Sequence, residues 1–200
     1  MLTYTNEEYR IQIKYPSDWN FSQGSFTSED NIDRDIRVLI VSFVPTSQLG
    51  NMTNLLNLLS EEIRNGDIAS AETKIYNSLG RASVSIYCYP SVVKTLDKFV
   101  KDNLLEMRKQ MTDFQPKSTN FRKIKGMKNK GYEIIYSATI SHEDDDTYPA
   151  HLAADERKQV LSTWTMHEDR VYQITYLSNP EAYSTYLPIV NTMIDTFTVF

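Results

Sequence analysis

The chain has 200 residues, 40% of them apolar and 24% charged, with a formal net charge of −5. That length supports one ample core and that composition is ordinary for a folded chain, while the acidic balance argues against a general nucleic-acid binder. Cys88 stands alone, which excludes an intrachain disulfide and a cysteine-based metal cluster.

Thirteen tyrosines and eight phenylalanines against six glycines point to a sheet-rich body with aromatic packing. No apolar run approaches the ~20 residues that span a bilayer. The start, MLTYTNEEYR, has neither a basic leader nor an apolar signal core. The expectation is a cytoplasmic chain, or one from which a leader has been removed.

The first predicted strand is YRIQIKYP, where Tyr9, Ile11, Ile13 and Tyr15 alternate with polar residues and Pro16 to Asp18 supply a turn before Trp19 and Phe21. Residues 22–35 read as a polar loop, or as a weak strand with a mobile tip. IRVLIVSFV, residues 36–44, is apolar on both faces, as a central strand covered above and below would be. Met52, Leu55, Leu56, Leu59 and Ile63 follow helical spacing, with Gly66 placed to end the helix. RASVSIYCY alternates Ala82, Val84, Ile86 and Cys88 against Tyr87 and Tyr89. Thr95 caps a second helix whose apolar stripe is Leu96, Phe99, Val100, Leu104, Met107 and Met111.

The last third reads as two hairpins and a helix. FRKIKGMKNKGYEIIYSATI turns between Gly126 and Gly131 and places Tyr132, Ile134, Tyr136, Ala138 and Ile140 on one face. QVLSTWTMHEDRVYQITYL turns at His167 to Arg170, with Val160, Trp164 and Met166 expected to face the same way as Tyr172, Ile174 and Tyr176. Asn179 is the expected cap of the last helix, Pro180 sits in its first turn, and Pro188 is expected to kink it. The order predicts one α+β domain over 1–200, an αβα sandwich whose central, mainly antiparallel sheet has helices on both faces.

The opening YRIQIKYPSDW, the hairpin GYEIIYSATI and the segment WTMHEDRVYQITYLSNPEAYSTYLPIVNTMIDTF, in that order, resemble PsbP-like proteins, whose fold is shared with Mog proteins. The resemblance spans roughly residues 4–21 and 80–200 and is closer to the non-photosynthetic prokaryotic or archaeal type. Residues 46–80, with their extra helix, have no counterpart and read as an insertion. The resemblance implies an extrinsic, non-enzymatic, extracytoplasmic or membrane-associated protein. PsbP itself supports calcium and chloride retention at photosystem II.

Two constellations carry possible chemistry. SHEDDDTYPAH gathers His142, Glu143, Asp144, Asp145, Asp146 and His151. Calcium takes six to eight oxygens that such a run can supply, and Zn²⁺ or Mn²⁺ would take a histidine with carboxylates. The stretch is neither an EF-hand loop nor a helical zinc motif, and consecutive acids point in different directions. A solvated connection between strands is the plainer reading, and divalent binding is the alternative. The second constellation is Lys117, Arg122, Lys123, Lys125, Lys128 and Lys130, six basic residues in fourteen with no acid among them. A turn bearing Lys125, Lys128 and Lys130 suits a larger protein complex or an anionic membrane surface. Lysines that discourage edge pairing are the plainer reading. Nucleic acid fits poorly, since only Phe121 and Tyr132 are interleaved for stacking.

His167 in a turn reads as merely polar, Cys88 as an inert buried thiol, and Trp19 and Trp164 as core aromatics. No serine elbow, phosphate loop or dinucleotide motif occurs. The expected protein is a monomeric accessory or binding module. Two competing classes are a metal-dependent hydrolase using the His142–His151 segment and a Mog-like regulator of a small GTPase.

Overall fold

The computed structural model describes residues 1–24, 37–46, 82–89, 95–111, 113–124, 130–140 and 156–200. In chain order the elements are β1 (Leu2–Asn6), β2 (Ile11–Tyr15), β3 (Trp19–Gln23), β4 (Val38–Pro45), β5 (Ala82–Tyr89), α1 (Leu96–Gln110), β6 (Gln115–Lys123), β7 (Lys130–Ile140), β8 (Glu156–His167), β9 (Arg170–Ser178), α2 (Pro180–Thr196) and β10 (Thr198–Val199). The helix expected within the 46–80 insertion lies outside the described residues.

Every described strand pair is antiparallel. One sheet has seven strands in the order β3-β4-β5-β9-β8-β7-β6, and a second has three in the order β1-β2-β10. The predicted α+β class therefore holds, with one addition: the first predicted strand belongs to a separate small sheet. Within it, Ile11, Ile13 and Tyr15 are buried and alternate with exposed Gln12 and Lys14. Tyr9 falls in the preceding turn, where its amide donates to Asn6 Oδ1 (3.0 Å). Arg10 closes that turn with a φ of 54°. The chain's end returns to the same place, since the Phe200 amide donates to the Arg10 carbonyl (2.9 Å).

β4 departs from its expected position. It is second from the edge, and its run of apolar residues has a local cause. The register against β5 shifts between Leu39 and Val41, and both Ile40 and Val41 enter the same core cluster. A bulge of this kind lets two successive side chains face one way.

Parity along β8 and β9 separates two cores. Tyr172, Ile174 and Tyr176 join Leu161 and the α2 residues Tyr183, Val190, Met193 and Ile194, together with Ile11 and Ile13 of the small sheet. Val171 joins Val160, Trp164, Ile134, Tyr136 and Ala138 beneath Phe99, Val100 and Met107 of α1. Neighbours in a strand point to opposite faces, so α1 and α2 pack on opposite faces of the seven-stranded sheet.

This corrects the expected facing of the second hairpin. His167 pairs with Arg170, which sets Val160 opposite Leu177, Trp164 opposite Gln173 and Met166 opposite Val171. The two-residue loop, Glu168 and Asp169, makes every paired position change parity. Val160, Trp164 and Met166 therefore share a face with Val171, not with Tyr172, Ile174 and Tyr176. Glu168 has a φ of 54°, the sign a two-residue hairpin loop demands at its first position.

The helix ends follow the sequence at one terminus and depart from it at the other. Thr95 Oγ1 accepts from the Lys98 amide (3.3 Å) at the start of α1. Asn179 makes no side-chain cap to α2; its Oδ1 accepts from Lys158 Nζ instead. The Asn179 carbonyl still takes the Ala182 and Tyr183 amides. α2 runs on through Pro188 to Thr196.

Candidate functional site

Most of the residues singled out for chemistry lie outside the described residues: His142, Glu143, Asp144, Asp145, Asp146 and His151, and also Lys125 and Lys128. Lys130 is described in its backbone, as the first residue of β7 paired with Lys123. Among the described residues no group of three or more His, Cys, Asp or Glu side chains is arranged to hold a metal. Cys88 is buried, and burial pushes its thiol up to about 11 against the opposing pull of Arg170. His167 is partly exposed, with Glu168 Oε1 3.9 Å from its Nε2. Trp19 and Trp164 are core residues.

The described part of the basic region is the β6–β7 hairpin, and its root is firmly built. Arg122 Nη1 donates to Glu133 Oε2 (2.8 Å) on β7 and to Asn191 Oδ1 (2.8 Å) on α2. Its Nη2 donates to Asp195 Oδ1 (2.7 Å) and to the Asn191 carbonyl (3.1 Å). The Arg122 and Glu133 side chains are 16% and 14% exposed. Desolvation works against the guanidinium charge, but hydrogen bonds to Asp195 and Glu133 outweigh it and raise the Arg122 pKa. Arg122 thus leaves the basic surface that the sequence suggested and becomes a clamp between the hairpin and α2. The missed signal was the pairing of β6 with the acidic Glu133, which depends on register.

The hairpin is held at a second point next to the clamp. Ile124, directly after β6, is 1% exposed. A Cβ on Gly131 would lie 2.8 Å from Ile124 Cδ1 and 3.1 Å from the Trp164 carbonyl oxygen. Glycine is what allows that close approach. On the α1 face, an aromatic row runs outward along the cross-strand register. The Trp164 and Tyr132 centroids are 6.2 Å apart, and those of Tyr132 and Phe121 are 5.7 Å apart in an edge-to-face pair. Phe121, at the sheet margin, is 67% exposed.

Lysines remain at the surface around this root. Lys117 Nζ donates to Gln159 Oε1 (3.1 Å). Lys123 is exposed, with no ion pair to any described residue. Among the described residues the arrangement is a strand pair whose exposed Lys123 ammonium has no ion pair, whose Phe121 ring is exposed and whose outer backbone edge has no strand partner. It is suited to recognising a surface or a chain, and it brings no nucleophile and base together.

No family model matches the chain, and no curated protein matches it either. Solved structures do. The solution structure of cyanobacterial PsbP (CyanoP) from Synechocystis sp. PCC 6803 matches with a TM-score of 0.56 at 11% identity, over 100% of this chain and 92% of that one. A crystal structure of a protein of unknown function from Pseudomonas aeruginosa matches at 14% identity over 57% of this chain and 70% of that one, with a TM-score of 0.44. The first likeness shows a PsbP-like fold; the second is too slight to carry an argument.

Proposed function

We infer that the protein is an extrinsic, non-enzymatic accessory protein of the PsbP-like type, of the non-photosynthetic prokaryotic or archaeal kind. It docks on a larger, membrane-associated partner outside the cytoplasm. The observation that carries this reading is the full-length fold likeness to cyanobacterial PsbP. The sequence resemblance at residues 4–21 and 80–200 supports it independently. Among the described residues no helix is long and apolar enough to cross a membrane, so an extrinsic mode of attachment is the one proposed.

The basic residues of the β6–β7 hairpin make the electrostatic contact, with Lys125, Lys128 and Lys130 as the principal charges. The firm root formed by Arg122, Ile124 and Gly131 supports this assignment, because a charged contact mounted on a fixed base loses less entropy on docking. Each lysine near an acidic surface contributes about 1 kcal/mol. Replacing all three by glutamine is therefore expected to weaken binding to vesicles containing phosphatidylserine by about 100-fold at low salt. Unchanged vesicle binding would sink the membrane-contact reading.

A divalent cation, Ca²⁺, Zn²⁺ or Mn²⁺, at His142 to Asp146 and His151 belongs to the same proposal as its second element. Metal-stripped protein titrated with calcium and then zinc is expected to show saturable amide shifts confined to residues 141–156. Flat spectra to millimolar ion would remove the cation and leave the docking role standing. The hydrolase and GTPase-regulator readings find no support among the described residues.

A further inference from the structure

Among the described residues the seven-stranded sheet ends in two edges, β3 and β6. An edge is a row of N–H and C=O groups able to receive another strand. The two edges are finished differently. β3 is five residues long, and its Phe21, though 45% exposed, packs edge-on against Tyr4 (5.3 Å) and Tyr15 (5.8 Å). Two of its polar side chains are also engaged, Asn20 Nδ2 donating to Thr46 Oγ1 (2.9 Å) and Gln23 Nε2 to Tyr4 Oη (3.4 Å).

β6 is nine residues long and exposed at every position except Ser118 and Arg122. Of the features that guard an edge, a proline and a bulge sit at its beginning, where the register shifts between Pro116 and Ser118, and Lys117 and Lys123 flank the stretch between. From Thr119 to Lys123 the pairing with β7 is unbroken, and no described strand pairs with the outer side of that stretch. Phe121 lies in its middle, and among the described residues its ring meets only that of Tyr132. A large apolar side chain left out on an otherwise polar edge is the opposite of edge protection.

Phe121 and Lys123 share a face, being two residues apart on a strand. A strand laid along β6 would bring one side chain to about 4.5–5.5 Å from Phe121, Cβ to Cβ, and the next on that face beside Lys123. Those positions call for an apolar residue and a carboxylate. Arg122 faces the other way and is already held by Glu133 and Asp195. A second copy of the chain fits poorly. β6 carries Lys117, Arg122 and Lys123 and no acid, so self-pairing gains no ion pair in any register and sets Lys117 against Lys123 when centred on Asn120.

We propose that β6 is a docking edge for an extended acidic segment of a partner protein, which adds as an eighth strand with an apolar side chain beside Phe121 and a carboxylate beside Lys123. This rests on the docking role above and specifies its contact.

The test uses the full chain and the capped peptide TETVTET, whose valine is flanked two residues away by glutamate in either strand direction. Amide NMR titration is expected to give saturable shifts confined to β6 and β7. Backbone N-methylation at peptide residues 2, 4 and 6, or at 3 and 5, separates the two edges of the added strand, so one methylated peptide is expected to bind and the other to fail. Phe121→Ala and Lys123→Gln are each expected to weaken binding about two- to five-fold, and TKTVTKT to show no saturable binding. The proposal is overturned by no saturable shift to millimolar TETVTET, by shifts centred elsewhere, or by the two methylated peptides behaving alike. Equal binding of TKTVTKT, or unchanged affinity in both variants, overturns it too. Vesicle binding without peptide binding removes this inference alone; peptide binding without vesicle binding removes the membrane contact alone.

Discussion

The two faces of the seven-stranded sheet obey different rules. On the α2 face, apolar side chains follow one another from strand to strand, with Val41, Phe43, Ile86 and Ile174 in one cluster with Ile11 and Ile13 of the small sheet. On the α1 face, the register aligns Ser22, Ser42, Ser85, Thr175 and Ser162 in a single row across five strands. Burial deepens along that row, from exposed Ser22 to fully buried Ser162. Hydroxyls meet within it, Ser42 with Ser85 at 3.1 Å and Ser162 with Thr175 at 3.3 Å. Beside it the Tyr89 hydroxyl donates to Gln173 Oε1 (2.7 Å), and Gln173 Nε2 donates to Ser162 Oγ (3.4 Å). The face closed by a helix and a second sheet is apolar across β4, β5 and β9, and buried Thr163 and Thr165 of β8 and Ser137 of β7 interrupt it further along. The face on which α1 is the only described helix keeps polar groups that satisfy one another where the apolar contacts of α1 stop, because a buried polar group without a partner is costly.

The comparison can be broken most forcefully with one substitution placed on each face. Ile174 and Ile134 are both essentially unexposed, the first in the α2-face cluster and the second under α1. Ile174→Ala is expected to cost about 4 kcal/mol and Ile134→Ala about 2–3 kcal/mol, since a single helix settles onto a cavity more readily than two packed layers do. Urea denaturation of both variants measures the difference. Equal costs, or the reverse order, would mean that the two faces are equally rigid.

A smaller loss is expected where the α2 face reaches the sheet margin. Arg122→Ala leaves Glu133 without its cation in a half-buried setting and is expected to cost about 2–3 kcal/mol. Asp195 is 62% exposed, so Asp195→Asn should cost under about 1 kcal/mol. A double-mutant cycle distinguishes them: strong coupling between Arg122 and Glu133, and weak coupling between Arg122 and Asp195, is the expected pattern. Coupling of equal size would show the clamp to be a surface network.

Much of this division was legible in the sequence, and the parts that were not share a cause. Alternation in β5, the stripe of α1 with its Thr95 cap, and both C-terminal hairpins were readable because each rests on residues close together in the chain. β1 and β10 were not. Tyr4 is the one buried residue of β1 and β10 has only two residues, so neither carries a period, and each forms by pairing with β2. The facing of the β8–β9 hairpin failed by one residue, which is enough to exchange the two faces. Arg122 looked like part of a basic patch because its partners Glu133, Asn191 and Asp195 come from two other elements. The exposed position of Phe121 is likewise a property of strand order, which local pattern does not encode.

The finest contrast between the faces is one of proton binding. Tyr136 on the α1 face, and Tyr176 and Tyr183 on the α2 face, are each pushed up to about 12, in every case chiefly by burial. For Tyr136 a hydrogen bond with Ser162 pulls the other way, and for Tyr176 one with Ser178 does so. A raised tyrosine pKa means that the folded chain holds the proton more tightly than the unfolded chain, whose tyrosines ionise near 10. Below pH 10 both states are protonated, and the shift leaves stability unchanged with pH. As pH rises from about 10 towards 12 the unfolded chain gains the ionised form first, so stability falls, by at most about 1.4 kcal/mol per pH unit for Tyr136. Phenylalanine at 136 should remove that share of the decline, and phenylalanine at 176 should remove its own. Chemical denaturation at pH 9, 10 and 11, with absorbance at 295 nm to follow ionisation, measures both. Tyrosines that ionise near 10 in the folded protein would mean that water reaches them. If only Tyr136 did so, the polar seam of the α1 face would be the path by which it enters.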